Sequence, residues 1–310
     1  MYKLPHDIPS SNAKVEDLAD YYECECLKSE VEWVAFHNIS REIRYQGDEI
    51  EVVGIMDEDD FLSNKLDEIT AEIERRKLAC KGKYPFQSGE KGYVLELNHS
   101  AGKQEIAVYN YLLLATRLNM GCDRVHKEID GSLLFEELSA IIAQSYWGDR
   151  AESYVFGTAI KGKFSEKVDE LCFRMGEGDG FQNRNPSPPK AKDDNLDVAV
   201  WKSFQDEKVS KLIGFGQCKT GTSWSNHTTD LQPSDFCGKW MKNRPAVNPV
   251  CLFFISDSLP SNEWFTKAVD AGIVFDRYRI MDYLPSKLDD KLLENIESWV
   301  ESAWKFVMSN

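Results

Sequence analysis

The chain has 310 residues, 42% of them apolar and 12% aromatic, and a formal net charge of −15. That composition suits a globular protein of about two folding units and excludes global disorder. No apolar run reaches the ~20 residues that cross a bilayer, and the start of the chain lacks the basic-then-apolar order of a signal peptide, so a cytoplasmic setting without membrane partners is expected.

Near the start, Ser10 or Ser11 stands where a short acidic helix would be capped. Residues 31–55 alternate apolar and polar side chains, which predicts strands joined at Gln46-Gly47-Asp48. From Asp59 to Ala79, Phe61, Leu62, Leu66, Ile69 and Ile73 recur at helical spacing, and the helix ends in Arg75-Arg76-Lys77. That basic cluster reads as a solvated helix end complementing the C-terminal dipole. A helix over 106–118 closes an N-terminal α+β region, residues 1–125, with an expected recognition or regulatory role.

Residues 126–310 read as a second domain. Leu133, Leu134, Leu138, Ile141, Ile142 and Tyr146 give a helix with one buried face over 133–147, and a further helix is expected over 164–175. Residues 176–195, dense in Gly, Pro, Asn and charge, form a loop. Two strands of a hairpin follow, LDVAVWKSF and KVSKLIGFGQCKTG; then a mixed helix and loop stretch, and then PVCLFFIS, a run apolar enough for a strand buried on both faces. A helix over 261–271, a strand over 273–281 and a helix over 288–307 complete an α/β arrangement of helices around a mixed sheet.

Charge and cysteine usage narrow the chemistry. Residues 1–120 hold 14 Lys and Arg against 23 Asp and Glu, whereas residues 161–245 hold 14 against 12. An acidic part beside a nearly neutral one argues against avid free binding of a polyanion and suggests a partner that supplements it. The eight cysteines show no paired CxxC at zinc spacing, and Cys24 and Cys26 read as small buried residues. The five histidines include no HExxH pair.

Cutting a phosphodiester needs a cation on the phosphate and a group that activates or positions water. On the second hairpin strand Gln217 and Lys219 are two apart and share a face, while Cys218 points to the layer behind. Asp197 heads the paired strand, so a hairpin brings Asp197, Gln217 and Lys219 together. Asp197 offers a hard anionic oxygen, Gln217 a neutral one, and the backbone carbonyl of Cys218 a third ligand for Mg²⁺ or Mn²⁺. Lys219 would orient or deprotonate water, or stabilise developing charge. Gln217 leaves the set one charge short. Glu136 or Glu137 on the preceding helix is the candidate to supply it; Asp193 and Asp194 are nearer in sequence but lie in the loop.

FEEL on a helix, DVAVW at a strand head, GQCKTG on the next strand, a helical stretch and PVCLFFIS together resemble the PD-(D/E)XK superfamily of restriction-endonuclease-like nucleases. The branch is the one with Gln in place of the second acid, as in Mrr-type restriction enzymes, and the match covers roughly residues 130–255. The resemblance implies a restriction-endonuclease-like fold, Asp197 and Gln217 as metal ligands, Lys219 as catalytic lysine and a helix glutamate as auxiliary ligand. Leu196 stands where that family often has Pro. The expectation is a Mg²⁺-dependent DNA endonuclease, the effector of a bacterial anti-phage or restriction system working with a partner subunit. The rival is a non-catalytic nuclease-fold scaffold that binds nucleic acid or protein. Trp201 and Trp224 read as base-stacking or core residues, and Arg277 and Arg279 alternate on the expected late strand with the same two readings. GQCKTG lacks the lysine of a phosphate loop, with Thr222 in its place.

Overall fold

The computed structural model describes residues 2–10, 12–36, 55–89, 94–157, 162–184 and 194–309. It divides the chain into two units: Met1–Lys127 with Ile296–Asn310, and Glu128–Asn295. The tail of the last helix thus groups with the N-terminal unit. The turn expected at Gln46-Gly47-Asp48, like Asp193, falls outside the described residues.

In the first unit α1 (Val15–Lys28), β1 (Trp33–Ala35), α2 (Ile55–Ala79), β2 (Phe86–Ser88), β3 (Val94–Leu97), α3 (Lys103–Arg117) and β4 (Val125–His126) follow one another. β1 and β2 flank β3, both antiparallel to it. Trp299, from the C-terminal helix, donates its indole N–H to the Arg124 carbonyl at 2.8 Å and meets Tyr111 edge to face. Cys24 and Cys26 are buried free thiols, as their spacing suggested.

At the basic end of α2, Lys77 is exposed and Arg75 half-exposed, as a solvated helix end requires, but Arg76 between them is buried. Ile69, Ile73, Arg76 and Cys80 are all buried, at helical spacing, so residue 76 lies on the inner stripe. Arg76 pairs there with Asp20 and Glu23, both at 2.7 Å, and with Glu72 at 2.9 Å. Arg117 of α3 reaches Asp17 and Asp20 from the other side, at 2.7 Å each. The partners lie 56 and 97 residues away in the chain, beyond the reach of any local pattern.

In the second unit β5 (Ile129–Asp130) leads into α4 (Gly131–Trp147), whose first turn is capped by Asp130 Oδ1 accepting from the Ser132 N–H at 2.8 Å. Then come β6 (Ala151–Val155), α5 (Phe164–Met175), β7 (Val198–Lys202), β8 (Leu212–Lys219), α6 (Pro233–Trp240), β9 (Val250–Ile255), α7 (Trp264–Ala271), β10 (Ile273–Phe275), α8 (Arg277–Asp282) and the first turns of α9 (Asp290–Ser309), which from Ile296 on belongs to the first unit. The result is a mixed α/β unit with a five-stranded sheet in the order β10-β9-β8-β7-β6. β6, β7 and β8 form an antiparallel meander, and β9 and β10 add in parallel to β8.

Strand alternation sorts the side chains into two layers. Tyr154, Ala199, Trp201, Ile213 and Phe215 share a core with Val168 and Leu171 of α5 and Phe236 and Trp240 of α6. On that same face Phe253, Ile255 and Val274 pack with Trp224 and with Trp264 and Ala271 of α7. The opposite face receives α4. A side chain at Gly214 would meet the Trp147 ring of α4 at 3.0 Å, and one at Gly216 would meet Phe254 at 3.0 Å. Glycine at those two positions lets this layer close down on β8.

Two elements differ from the expectation. β6 is an additional strand, formed by a five-residue alternating stretch too short to stand out beside α4. The strand expected over 273–281 ends at Phe275, because Asp276 caps a helix by accepting from the Arg279 N–H at 3.0 Å. Arg277 and Arg279 therefore sit on α8 and not on a strand.

Candidate active site

The head of β7 and the tail of β8 meet at one end of the sheet. Val198 pairs with Gly216, and one step further the register sets Asp197 opposite Gln217. The Asp197 N–H donates to the Gly216 carbonyl at 2.9 Å. Its carboxylate Oδ2 then accepts from the Cys218 N–H at 2.7 Å, so a side chain continues the ladder where main-chain pairing stops. This bond helps fix the orientation of Asp197.

Gln217 is 1% exposed. In the amide orientation that satisfies both neighbours, Nε2 donates to the His227 carbonyl at 3.2 Å and Oε1 accepts from Lys219 Nζ at 3.1 Å. Asp197, Gln217 and Lys219 are thereby gathered at one end of these two inner strands, with the Lys219 ammonium held by the Gln217 oxygen.

The structure separates the two glutamates of α4. Glu136 is buried, in line with Ala140, Ala143 and Trp147. Its carboxylate lies against Gly157, where an added Cβ would stand 2.5 Å from Oε2. Gly157 follows β6 and donates its N–H to the Asp197 carbonyl at 3.0 Å, beside Phe156, which donates to the same oxygen at 2.7 Å. Glu136 is thus brought to the Asp197 end of the sheet. Glu137 is half-buried with Lys291 and Asp289, at the start of α9, as the charges that act on it: burial and Asp289 raise its carboxyl pKa and Lys291 lowers it.

Lys167 of α5 is a participant that sequence reasoning missed. It is 5% exposed, and its ammonium donates to the carbonyls of Phe156 at 3.2 Å and Gly157 at 2.6 Å. The end of β6 that bonds the Asp197 carbonyl is therefore pinned by the Lys167 ammonium. The signal was present in FSEKVDELCFRM, where a lysine interrupts the stripe of Phe164, Val168, Leu171 and Met175.

Cys218 faces the α4 layer, as its place between Gln217 and Lys219 requires. Its thiol pKa is pushed well up, first by burial and then by the charges of Asp197 and Glu136, against opposing effects from Ser139 and Lys219. Asp194, the loop acid that is described, accepts from Trp240 Nε1 at 2.6 Å and belongs to the packing of α6.

The donor set suits a hard cation in kind: two carboxylates, an amide oxygen and a main-chain carbonyl. Among the described residues no three His, Cys, Asp or Glu side chains are placed to hold a metal. A cation here would have to draw on Gln217 and the Cys218 main chain as well as on the acids. A shallow depression of about 440 Å³ lined by Arg150, Glu152, Ser203, Phe204 and Gln205 lies at the other end of β6 and β7.

No protein-family model matches the chain, and none of the curated proteins or solved structures compared with it matches either. Among the described residues no helix is long and apolar enough to cross a membrane.

Proposed function

We propose that the second unit is a divalent-metal-dependent nuclease, with DNA as the expected substrate. The observation that carries this reading is the meeting of Asp197, Gln217 and Lys219 at the head of β7 and the tail of β8 with the Glu136 carboxylate at the adjoining strand end. The order of elements supports it: helix α4, the β6–β7–β8 meander, helix α6, then β9 parallel to β8. This follows the layout that the resemblance to the PD-(D/E)XK superfamily implies.

Asp197, Gln217, the Cys218 carbonyl and Glu136 are the groups that would hold Mg²⁺ or Mn²⁺, and the ion when bound supplies positive charge to the scissile phosphate. Lys219 contributes a localised ammonium, aimed by the Gln217 oxygen, that orients the attacking water or stabilises charge on the phosphate oxygens. Cys218 stays a neutral thiol and takes no part as a nucleophile. The acidic first unit fits a recognition or regulatory role, in a chain acting as effector of a bacterial anti-phage or restriction system beside a partner subunit.

One observation favours a second reading, a non-catalytic nuclease-fold scaffold. Gln217 is buried and both ends of its amide are engaged within the protein. Plasmid nicking in Mg²⁺ and in Mn²⁺ separates the two. A nuclease loses activity by about 100-fold or more when Lys219→Ala removes the charge; equal product from the variant and the wild type would discard the assignment.

A further inference from the structure

Lys219 is not the only cation on its face of the sheet. It pairs in register with Ile255 of β9, and Ile255 packs with Trp224 in a cluster that Trp264 joins. Two further cations lie on these rings. The Lys267 ammonium of α7 stands 5.7 Å from the centre of the Trp224 ring and donates to the Ser225 carbonyl at 3.5 Å. The Arg279 guanidinium of α8 stacks 4.1 Å over Trp264 and donates Nη1 to the Val274 carbonyl at 2.8 Å.

Trp224 is itself buried, and its indole N–H donates to Asp257 Oδ2 at 2.9 Å. Neither the reading of Trp224 as a base-stacking platform nor that of plain core filling describes it fully. The ring is a pedestal that fixes the position of a lysine, and Trp264 does the same for an arginine. A cation held over an aromatic face, with one donor already spent on a main-chain carbonyl, loses less conformational freedom when an anion arrives. Two nearby acids are committed to the protein itself: Asp257 accepts from Trp224 and from the Ser258 N–H, and Asp276 is buried as the cap of α8. Glu263, the N-cap of α7, and the exposed Asp270 lie one turn before and one turn after Lys267 on the same helix, and so weaken the positive charge that Lys267 presents.

We infer that Lys219, Lys267 and Arg279, the latter two mounted on Trp224 and Trp264, form a strip that binds the phosphodiester backbone of a nucleic acid leading into the Asp197 end of β7 and β8. The inference deepens the nuclease reading and rests on it for where the scissile bond lies. Three cations are too few for tight binding in salt, in keeping with the acidic charge of the whole chain.

The test uses fluorescence anisotropy with labelled 20-residue DNA and RNA oligonucleotides, in EDTA so that binding is read without cleavage. The full-length wild type is compared with Lys267→Gln, Arg279→Gln and their double variant. Each single variant is expected to weaken binding about three- to tenfold in low salt, and the slope of log affinity against log salt should flatten by roughly 0.7–0.9 per cation removed. Lys267→Arg and Arg279→Lys, which keep the charge, should restore most of the affinity, and thermal melting checks that each variant is folded. Loss confined to the DNA or the RNA arm identifies the backbone recognised.

A double variant that binds both oligonucleotides with wild-type affinity and slope overturns the strip, as does a folded wild type that binds neither at low salt. The two proposals fail separately. Charge-dependent binding without cleavage in Mg²⁺ or Mn²⁺ leaves the strip and removes the nuclease. Lys219-dependent cleavage that is unaffected in the double variant does the reverse.

Discussion

Gly157→Ala tests the role of Glu136 without replacing any polar side chain of the site. The Cβ it adds would stand 2.5 Å from Glu136 Oε2, 2.7 Å from Cδ and 2.8 Å from Oε1. Since ordinary contacts begin near 3.4 Å, the carboxylate must retreat by roughly 1 Å, and a misplacement of that size costs on the order of 100-fold in rate where a group must meet a reacting centre. The fold should tolerate the change. Gly157 is absent from the positive-φ glycines, so alanine brings no backbone strain, and what gives way is the far end of one side chain. Loss of unfolded-state freedom even returns about 0.4–1 kcal/mol. The expected result is a melting temperature within a few degrees of wild type, with cleavage reduced by about two orders of magnitude. Shortening the acid in Gly157→Ala/Glu136→Asp should relieve the clash and recover part of the rate, a non-additivity that a double-mutant cycle measures. Wild-type cleavage by folded Gly157→Ala would remove Glu136 from the site.

Two further outcomes follow from buried charges. Replacing Lys167 by Met leaves the Phe156 and Gly157 carbonyls without the donor described above, at a cost of about 1–3 kcal/mol in chemical denaturation, and should lower cleavage further than the stability change explains; unchanged stability would show that the ammonium does not pin the strand end. In the first unit Arg76→Met takes one guanidinium from the buried carboxylates of Asp20, Glu23 and Glu72, while Arg117 stays on Asp20, and should cost about 3–5 kcal/mol; a loss under about 1 kcal/mol would contradict the network. Glu72 gives that network a pH signature. Burial raises its carboxyl pKa, but hydrogen bonds from Arg75 and Arg76 and the charges of both outweigh burial and hold it below the ordinary 4.5. Its contribution is fully present above that value and drains away as pH falls through the lower folded-state pKa, so acid titration of Glu72→Gln should lose this part of the wild-type slope.

The parts of the fold legible in the sequence were those set by local periodicity. The apolar spacing of α4, the alternation of β7 and β8, and the wholly apolar β9 each fix an element within its own span. The facing of Gln217 and Lys219, with Cys218 behind, follows from period-two geometry alone. What escaped was decided by distant partners or by competition. Arg76 looks like a surface residue until Asp20 and Glu23, more than 50 residues away, are folded against it. The choice between Glu136 and Glu137 was readable in part, since Ala140, Ala143 and Trp147 continue the line of residue 136, but the stripe of leucines and isoleucines beside it masks that line. Ile273 to Met281 alternates well enough for a strand, and only the cap at Asp276 turns it into a helix.

The central claim is that the site built by Asp197, Gln217, Lys219 and Glu136 hydrolyses a phosphodiester bond with a divalent cation. Incubating 5′-labelled DNA and RNA with wild type and Asp197→Asn, in Mg²⁺ and in EDTA, tests it most directly. The prediction is product from the wild type in Mg²⁺ alone, and none from the variant or in EDTA. Equal product in all four conditions, or none from folded wild type with either substrate, would contradict it.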